Sequence, residues 1–125
     1  MTSEKGRVCV IDDDDALRES LSFLLRTAQI DVVSYPSATT FLDALPDVHA
    51  SCVITDVRMP EMSGIDLLRR LKELKIDVPV IVITGHGDVP LAVEAMKVGA
   101  SDFLEKPFDD EVFLSLVGQA LRSAR

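Results

Sequence analysis

Positive charge is scarce in this chain. Its 125 residues carry 13 Lys and Arg against 21 Asp and Glu, a formal net charge of −8. That balance argues against nucleic acid as a direct partner, because a phosphate backbone calls for a basic face. It argues equally against docking on an anionic membrane surface. Long apolar runs are missing as well: none approaches the roughly 20 residues of a membrane helix. The opening MTSEKGR lacks the apolar segment of a signal peptide, so the expected location is the cytosol. Cysteine is limited to Cys9 and Cys52, each inside a short apolar run. They form no C-x-x-C motif and stand at no metal-ligand spacing from His49 or His86. Both read as small buried hydrophobes in a reducing compartment.

What is present is enough apolar material for one core. The hydrophobic fraction of 47% fits a single well-buried α/β domain rather than a disordered chain. Strand-like runs at Arg7–Asp12, Asp31–Tyr35, Cys52–Asp56, Val80–Thr84 and Asp102–Glu105 each precede a helical pattern. Asp14 and Asp15, Ser37, Ser63, Asp88 with Pro90, and Asp109 to Glu111 supply the helix openings. Ser63 and Asp66 form a capping-box pattern with Asp in place of Glu. Gly99 is the expected C-terminal stop of the fourth helix. Short loops between five βα units predict a doubly wound parallel sheet with helices on both faces. The closing Arg122-Ser-Ala-Arg125 reads equally as the start of a linker and as a natural terminus.

Polar residues end four of the runs. Asp12 and Asp13, Asp56, Thr84 and Lys106 all fall where strands finish, and open parallel sheets bind ligands beyond that edge. Adjacent carboxylates repel and need a cation or proton between them. Mg²⁺ suits carboxylate and carbonyl oxygens and leaves positions for phosphate oxygens. A strand-end aspartate such as Asp56 can act as a nucleophile toward phosphorus. Thr84 can donate to a phosphoryl oxygen, and Gly85 leaves room beside the backbone. Lys106 supplies a compact cation, and a cis bond to Pro107 would aim it inward. Taken singly, each has an ordinary explanation: a capping aspartate, a strand threonine, a surface lysine.

The phrases VIDDDDALRESL, FLDAL, VITDVRMPEMSGIDLLRRL and VPVIVITGHGDVPLAVEAMKVGASDFLEKPF resemble the response-regulator receiver domains of two-component signalling, closest to the FixJ type. The likeness covers residues 7–121. It implies a flavodoxin-like (CheY-like) fold of five parallel strands in the order 2-1-3-4-5 with five helices, and one receiver domain over residues 1–125. It implies Asp56 as phosphoryl acceptor, Asp12, Asp13, Asp56 and the Arg58 carbonyl as Mg²⁺ ligands, and Thr84 and Lys106 as phosphoryl ligands. Thr84 and Phe103 would form the switch pair, with Phe103 lacking the hydroxyl of the tyrosine common in relatives. Arg58 and His86 would tune phosphoryl loss.

The resemblance further implies a sensor histidine kinase as donor and a homodimer on phosphorylation through the fourth helix and fifth strand. Val93, Lys97, Asp102 and Glu105 are the expected contacts. A C-terminal DNA-binding domain would lie in a longer chain. Such a protein catalyses only its own phosphorylation and dephosphorylation.

Two other classes stay open on the residues. One is a Mg²⁺-dependent aspartyl-phosphate phosphatase, since Asp12-x-Asp14 matches the D-x-D core of haloacid-dehalogenase-like enzymes. Ala16 replaces the Thr of that pattern, and there is no room for a cap domain. The other is a flavodoxin-like cofactor binder, which requires a Ser-, Thr- or Gly-rich phosphate loop where Asp12–Asp15 stand.

Overall fold

A computed structural model describes residues 7–45, 48–85 and 87–123. The chain alternates β1 (Arg7–Ile11), α1 (Asp15–Thr27), β2 (Asp31–Tyr35), α2 (Ala38–Ala44), β3 (Cys52–Asp56), α3 (Gly64–Glu73), β4 (Val80–Thr84), α4 (Val89–Val98), β5 (Asp102–Glu105) and α5 (Asp110–Ser123). All pairings are parallel, and the strand order is β2-β1-β3-β4-β5. The expected strands agree with these bounds, except that β1 ends at Ile11 and leaves Asp12 just beyond it.

Alternation along the strands divides the core into two layers. Cys9, Ile11, Val53, Val80 and Val82 face α2, α3 and α4, where Phe41, Leu67, Leu68, Leu71 and Ala95 meet them. Val8, Val10, Cys52, Ile54, Ile81 and Ile83 face α1 and α5, against Leu21, Leu25, Phe113 and Val117. The register places Cys9 beside Val53 and Cys52 beside Val8. The two cysteines therefore sit on neighbouring strands but point into opposite layers, and both are free. Burial pushes their thiols up to about 11 and about 12, which leaves them inert.

Helix starts follow the sequence signals with one exception. Asp14 accepts from the N–H groups of Ala16 and Leu17. Ser37 accepts from Thr40, and Ser63 with Asp66 closes a full capping box. At α4, Asp88 holds the cap position but makes no side-chain cap bond. Gly99 ends that helix at φ 128°, a conformation that favours glycine.

The apolar residues of α4 and α5 are only partly buried. Ala92 and Ala95 pack inward, whereas Val89, Val93 and Met96 are exposed, as is Val112 of α5. Spacings of four and three residues put Val89, Val93 and Met96 on one outward stripe of α4.

Gly64 is the tightest joint between helix and sheet. Its N–H donates to the Val57 carbonyl at 3.0 Å. A Cβ there would collide with the Asp56 carbonyl oxygen and stand 3.1 Å from Val57 Cα. Gly64→Ala should therefore destabilise the fold by about 1–3 kcal/mol through overpacking, although alanine is the better helix former. Urea unfolding with an unchanged midpoint would show that this joint is not tight.

Candidate functional site

Parallel pairing brings the ends of β1, β3, β4 and β5 to one edge, and Asp12, Asp56, Thr84 and Lys106 arrive there with them. Asp12 is 1% exposed, Asp56 is half-buried and Asp13 is exposed. Carboxylate oxygens of the three lie within 4.8 Å of one another. Oδ1 of Asp12 accepts from the Asp14 N–H at 2.8 Å, while Oδ2 is buried without a partner among the described residues. An orphaned carboxylate oxygen facing two further carboxylates suits a hard cation such as Mg²⁺, which takes oxygen ligands.

Burial raises the Asp12 carboxyl from its ordinary value to about 6, and the charges of Asp56 and Asp13 push in the same direction. Asp56 is raised too, first by burial. Its carboxylate accepts from the Arg58 N–H at 3.1 Å, and the Lys106 ammonium stands 3.8 Å from its Oδ2. Both contacts favour ionised Asp56. The Lys106–Pro107 bond is cis, as expected.

Thr84 is fully buried, and its hydroxyl donates to the Leu104 carbonyl at 3.4 Å. That long bond leaves the hydroxyl on β5 rather than on the carboxylates. The Thr84 carbonyl receives the Lys106 N–H at 2.9 Å, so the hydroxyl residue and the lysine are tied through backbone. Phe103 pairs with Val82 and packs, partly buried, against the α2–α4 side of the core. In register it stands one alternation before the Thr84–Glu105 pair.

Val93 and Lys97 are exposed on α4, and Asp102 and Glu105 are partly buried on β5. His86 lies outside the described residues.

Two side-chain contacts in the neighbourhood were not part of the sequence reading. Arg18 of α1 donates to the Asp12 carbonyl at 2.7 Å and pairs with Asp15. Arg58 reaches across to Asp88 through two bonds, Nε to Oδ2 at 2.9 Å and Nη2 to Oδ1 at 3.1 Å. The i,i+3 spacing from Asp15 could have found Arg18. Nothing periodic links positions 58 and 88.

The Response regulator receiver domain family matches residues 8–118. The chain belongs to that family. It is 53% identical over 120 residues to "Transcriptional regulatory protein FixJ" of Bradyrhizobium diazoefficiens, covering 96% of this chain and 58% of the relative. The FixJ protein of Rhizobium meliloti is 52% identical over 90% of this chain and 55% of its own length. The crystal structure of full-length FixJ from B. japonicum superposes with a TM-score of 0.93 at 52% identity, over 99% of this chain and 61% of that one. FixJ-N superposes at 0.90 and 49% identity, over 98% and 96%. The chain is thus a receiver domain of the FixJ type and has the CheY-like sheet order. It spans a little over half the length of the curated relatives it matches. Among the described residues, no helix is long and apolar enough to cross a membrane.

The raised Asp12 carboxyl has a measurable consequence. In metal-free protein the folded state binds this proton more tightly than the unfolded chain does. The resulting stability is complete below about pH 4 and is lost as the pH rises through about 6. Asp12→Asn should therefore stabilise metal-free protein near neutral pH by on the order of 1–2 kcal/mol, and the gain should vanish toward pH 4. Chemical denaturation across that range checks it; a gain independent of pH would refute the assignment to Asp12.

Proposed function

We propose that this domain accepts a phosphoryl group on Asp56 from a sensor histidine kinase and converts that event into homodimerisation. The observation that carries the reading is one sheet edge holding a half-buried carboxylate, an ammonium 3.8 Å from it and two further carboxylates. A nucleophile, a cation for the phosphoryl oxygens and a divalent-metal site are the parts that phosphoryl transfer uses.

Asp12, Asp13, Asp56 and the Arg58 carbonyl would hold Mg²⁺. When bound, it supplies positive charge that offsets the carboxylates and the phosphoryl oxygens. An Asp56 oxygen attacks phosphorus in line; the new P–O bond forms as the P–N bond of the donor phosphohistidine breaks, and the imidazole leaves. Lys106 steadies one equatorial oxygen. The Thr84 hydroxyl exchanges the long bond to Leu104 for a phosphoryl oxygen. Phe103 then takes up space beside β4, and Arg58 and His86 govern how water reaches the phosphoryl group. The chain turns over no separate substrate. It works in the cytosol, within a longer protein whose C-terminal domain binds DNA.

The dimer face consists of α4 and β5. The exposed Val89, Val93 and Met96 give it an apolar stripe, and Lys97, Asp102 and Glu105 give it charges of both signs. The phosphoryl group biases a pre-existing equilibrium between two packings of this face.

Incubation with acetyl phosphate and Mg²⁺ should add about 80 Da to the intact mass, the weight of one phosphoryl group. Asp56→Asn should show no adduct with its fold intact; equal labelling would sink the acceptor assignment. Mg²⁺ at a hundredfold excess over its dissociation constant should stabilise the native protein by about 2.7 kcal/mol. That response should disappear in Asp13→Ala, as read by thermal melting. Lys97→Glu should weaken phosphorylation-dependent self-association by several-fold without changing the mass adduct. Sedimentation showing the same dimer would mean the face is misplaced.

A further inference from the structure

Asp88 stands where three lines of geometry meet. It holds the cap position of α4, yet α4 is unlike α1, α2 and α3, whose cap side chains all accept from their own helices. Its carboxylate is turned instead to the Arg58 guanidinium, which it grips with both oxygens at 2.9 and 3.1 Å. It also lies over the residue that follows Thr84: a Cβ on Gly85 would stand 3.5 Å from Asp88 Oδ2, and the Asp88 N–H donates to the Gly85 carbonyl at 3.0 Å.

Arg58 in turn is fastened to the acceptor, since its N–H donates to Asp56 Oδ1 at 3.1 Å. One planar guanidinium therefore sits two residues from the phosphorylation site, with its bidentate fork already filled by an internal carboxylate. The fork fits a phosphoryl group as well as it fits a carboxylate.

We propose that Asp88 is a resident competitor for the phosphoryl group: it holds Arg58 in the unphosphorylated protein, and a phosphoryl group on Asp56 takes Arg58 from it. The inference rests on Asp56 being the acceptor. The Nε–Nη2 edge of Arg58 cannot hold both anions, so capture of that edge by the phosphoryl group unfastens the first turn of α4 from the loop after β3. Asp88 is a positioning residue here. It acts through Arg58 and contacts no phosphoryl oxygen. The exchange links the acceptor to the helix that carries Val89, Val93 and Met96.

The test is equilibrium binding of beryllofluoride with Mg²⁺, a phosphoryl stand-in, in a cycle of wild type, Asp88→Asn, Arg58→Ala and the double variant. Asp88→Asn keeps a residue that can cap α4 but loses the charge that holds the guanidinium. It should bind the anion about three- to fivefold more tightly than wild type, the size of a well-formed exposed ion pair. In the Arg58→Ala background the same substitution should change nothing, because no guanidinium remains to compete for.

Equal affinity of Asp88→Asn and wild type overturns the competitor role and leaves the Asp56 reading standing. A gain of the same size in both backgrounds also overturns it, because loss of one negative charge near the site would then account for the effect. No binding to wild type removes the acceptor reading and this proposal together, whereas binding that Asp56→Asn abolishes keeps the acceptor reading whatever Asp88 does.

Discussion

Repulsion among Asp12, Asp13 and Asp56 is the constraint to which the rest of this structure answers. Three carboxylates within 4.8 Å at the rim of a dry sheet are costly, and burial of Asp12 makes them more so. The fold meets that cost with donors placed around the cluster rather than inside it. The Asp14 and Arg58 N–H groups each satisfy one oxygen, and Lys106 lies beside Asp56. Arg18 is held at the Asp12 carbonyl. One oxygen, Asp12 Oδ2, is left with no partner among the described residues. Local stability is given up at this edge, and two fully buried layers of aliphatic side chains keep the sheet whole despite it.

Most of this arrangement was legible in the sequence, for physical reasons. Strands such as Val80–Thr84 are buried on both faces, so they appear as unbroken runs of β-branched residues. A parallel sheet sends every strand end to one side, so placing the strands also placed Asp12, Asp56, Thr84 and Lys106. Ser63 and Asp66 announced their capping box because both partners lie in one turn of helix. The family likeness supplied what geometry could not, namely the strand order and the expected role of each residue.

Other features were hidden because they depend on which surfaces meet. The bond between Arg58 and Asp88 spans thirty positions and joins two loops, and hydrophobic periodicity does not reach across that gap. Asp88 was legible as a helix opener, but its side chain found a stronger partner than its own backbone. Which apolar residues of α4 and α5 turn inward was not legible, since a helix pattern records apolarity and not which arc of the helix meets the sheet. In α4 the small Ala92 and Ala95 face the sheet, and the larger side chains are turned outward. The Thr84 hydroxyl rests on the Leu104 carbonyl, a contact between neighbouring strands that no local sequence pattern encodes.

The burial of β4 at all five positions has a mechanical consequence. The strand is clamped laterally by β3 and β5 and vertically by helices on both faces, so its backbone is the stiffest support available at that edge. A disturbance arriving at Thr84 cannot be absorbed by bending the strand beneath it. The sheet thereby gives the residues at this edge a fixed reference: Asp56, Thr84 and Lys106 are set relative to one another by backbone pairing rather than by their own side-chain contacts.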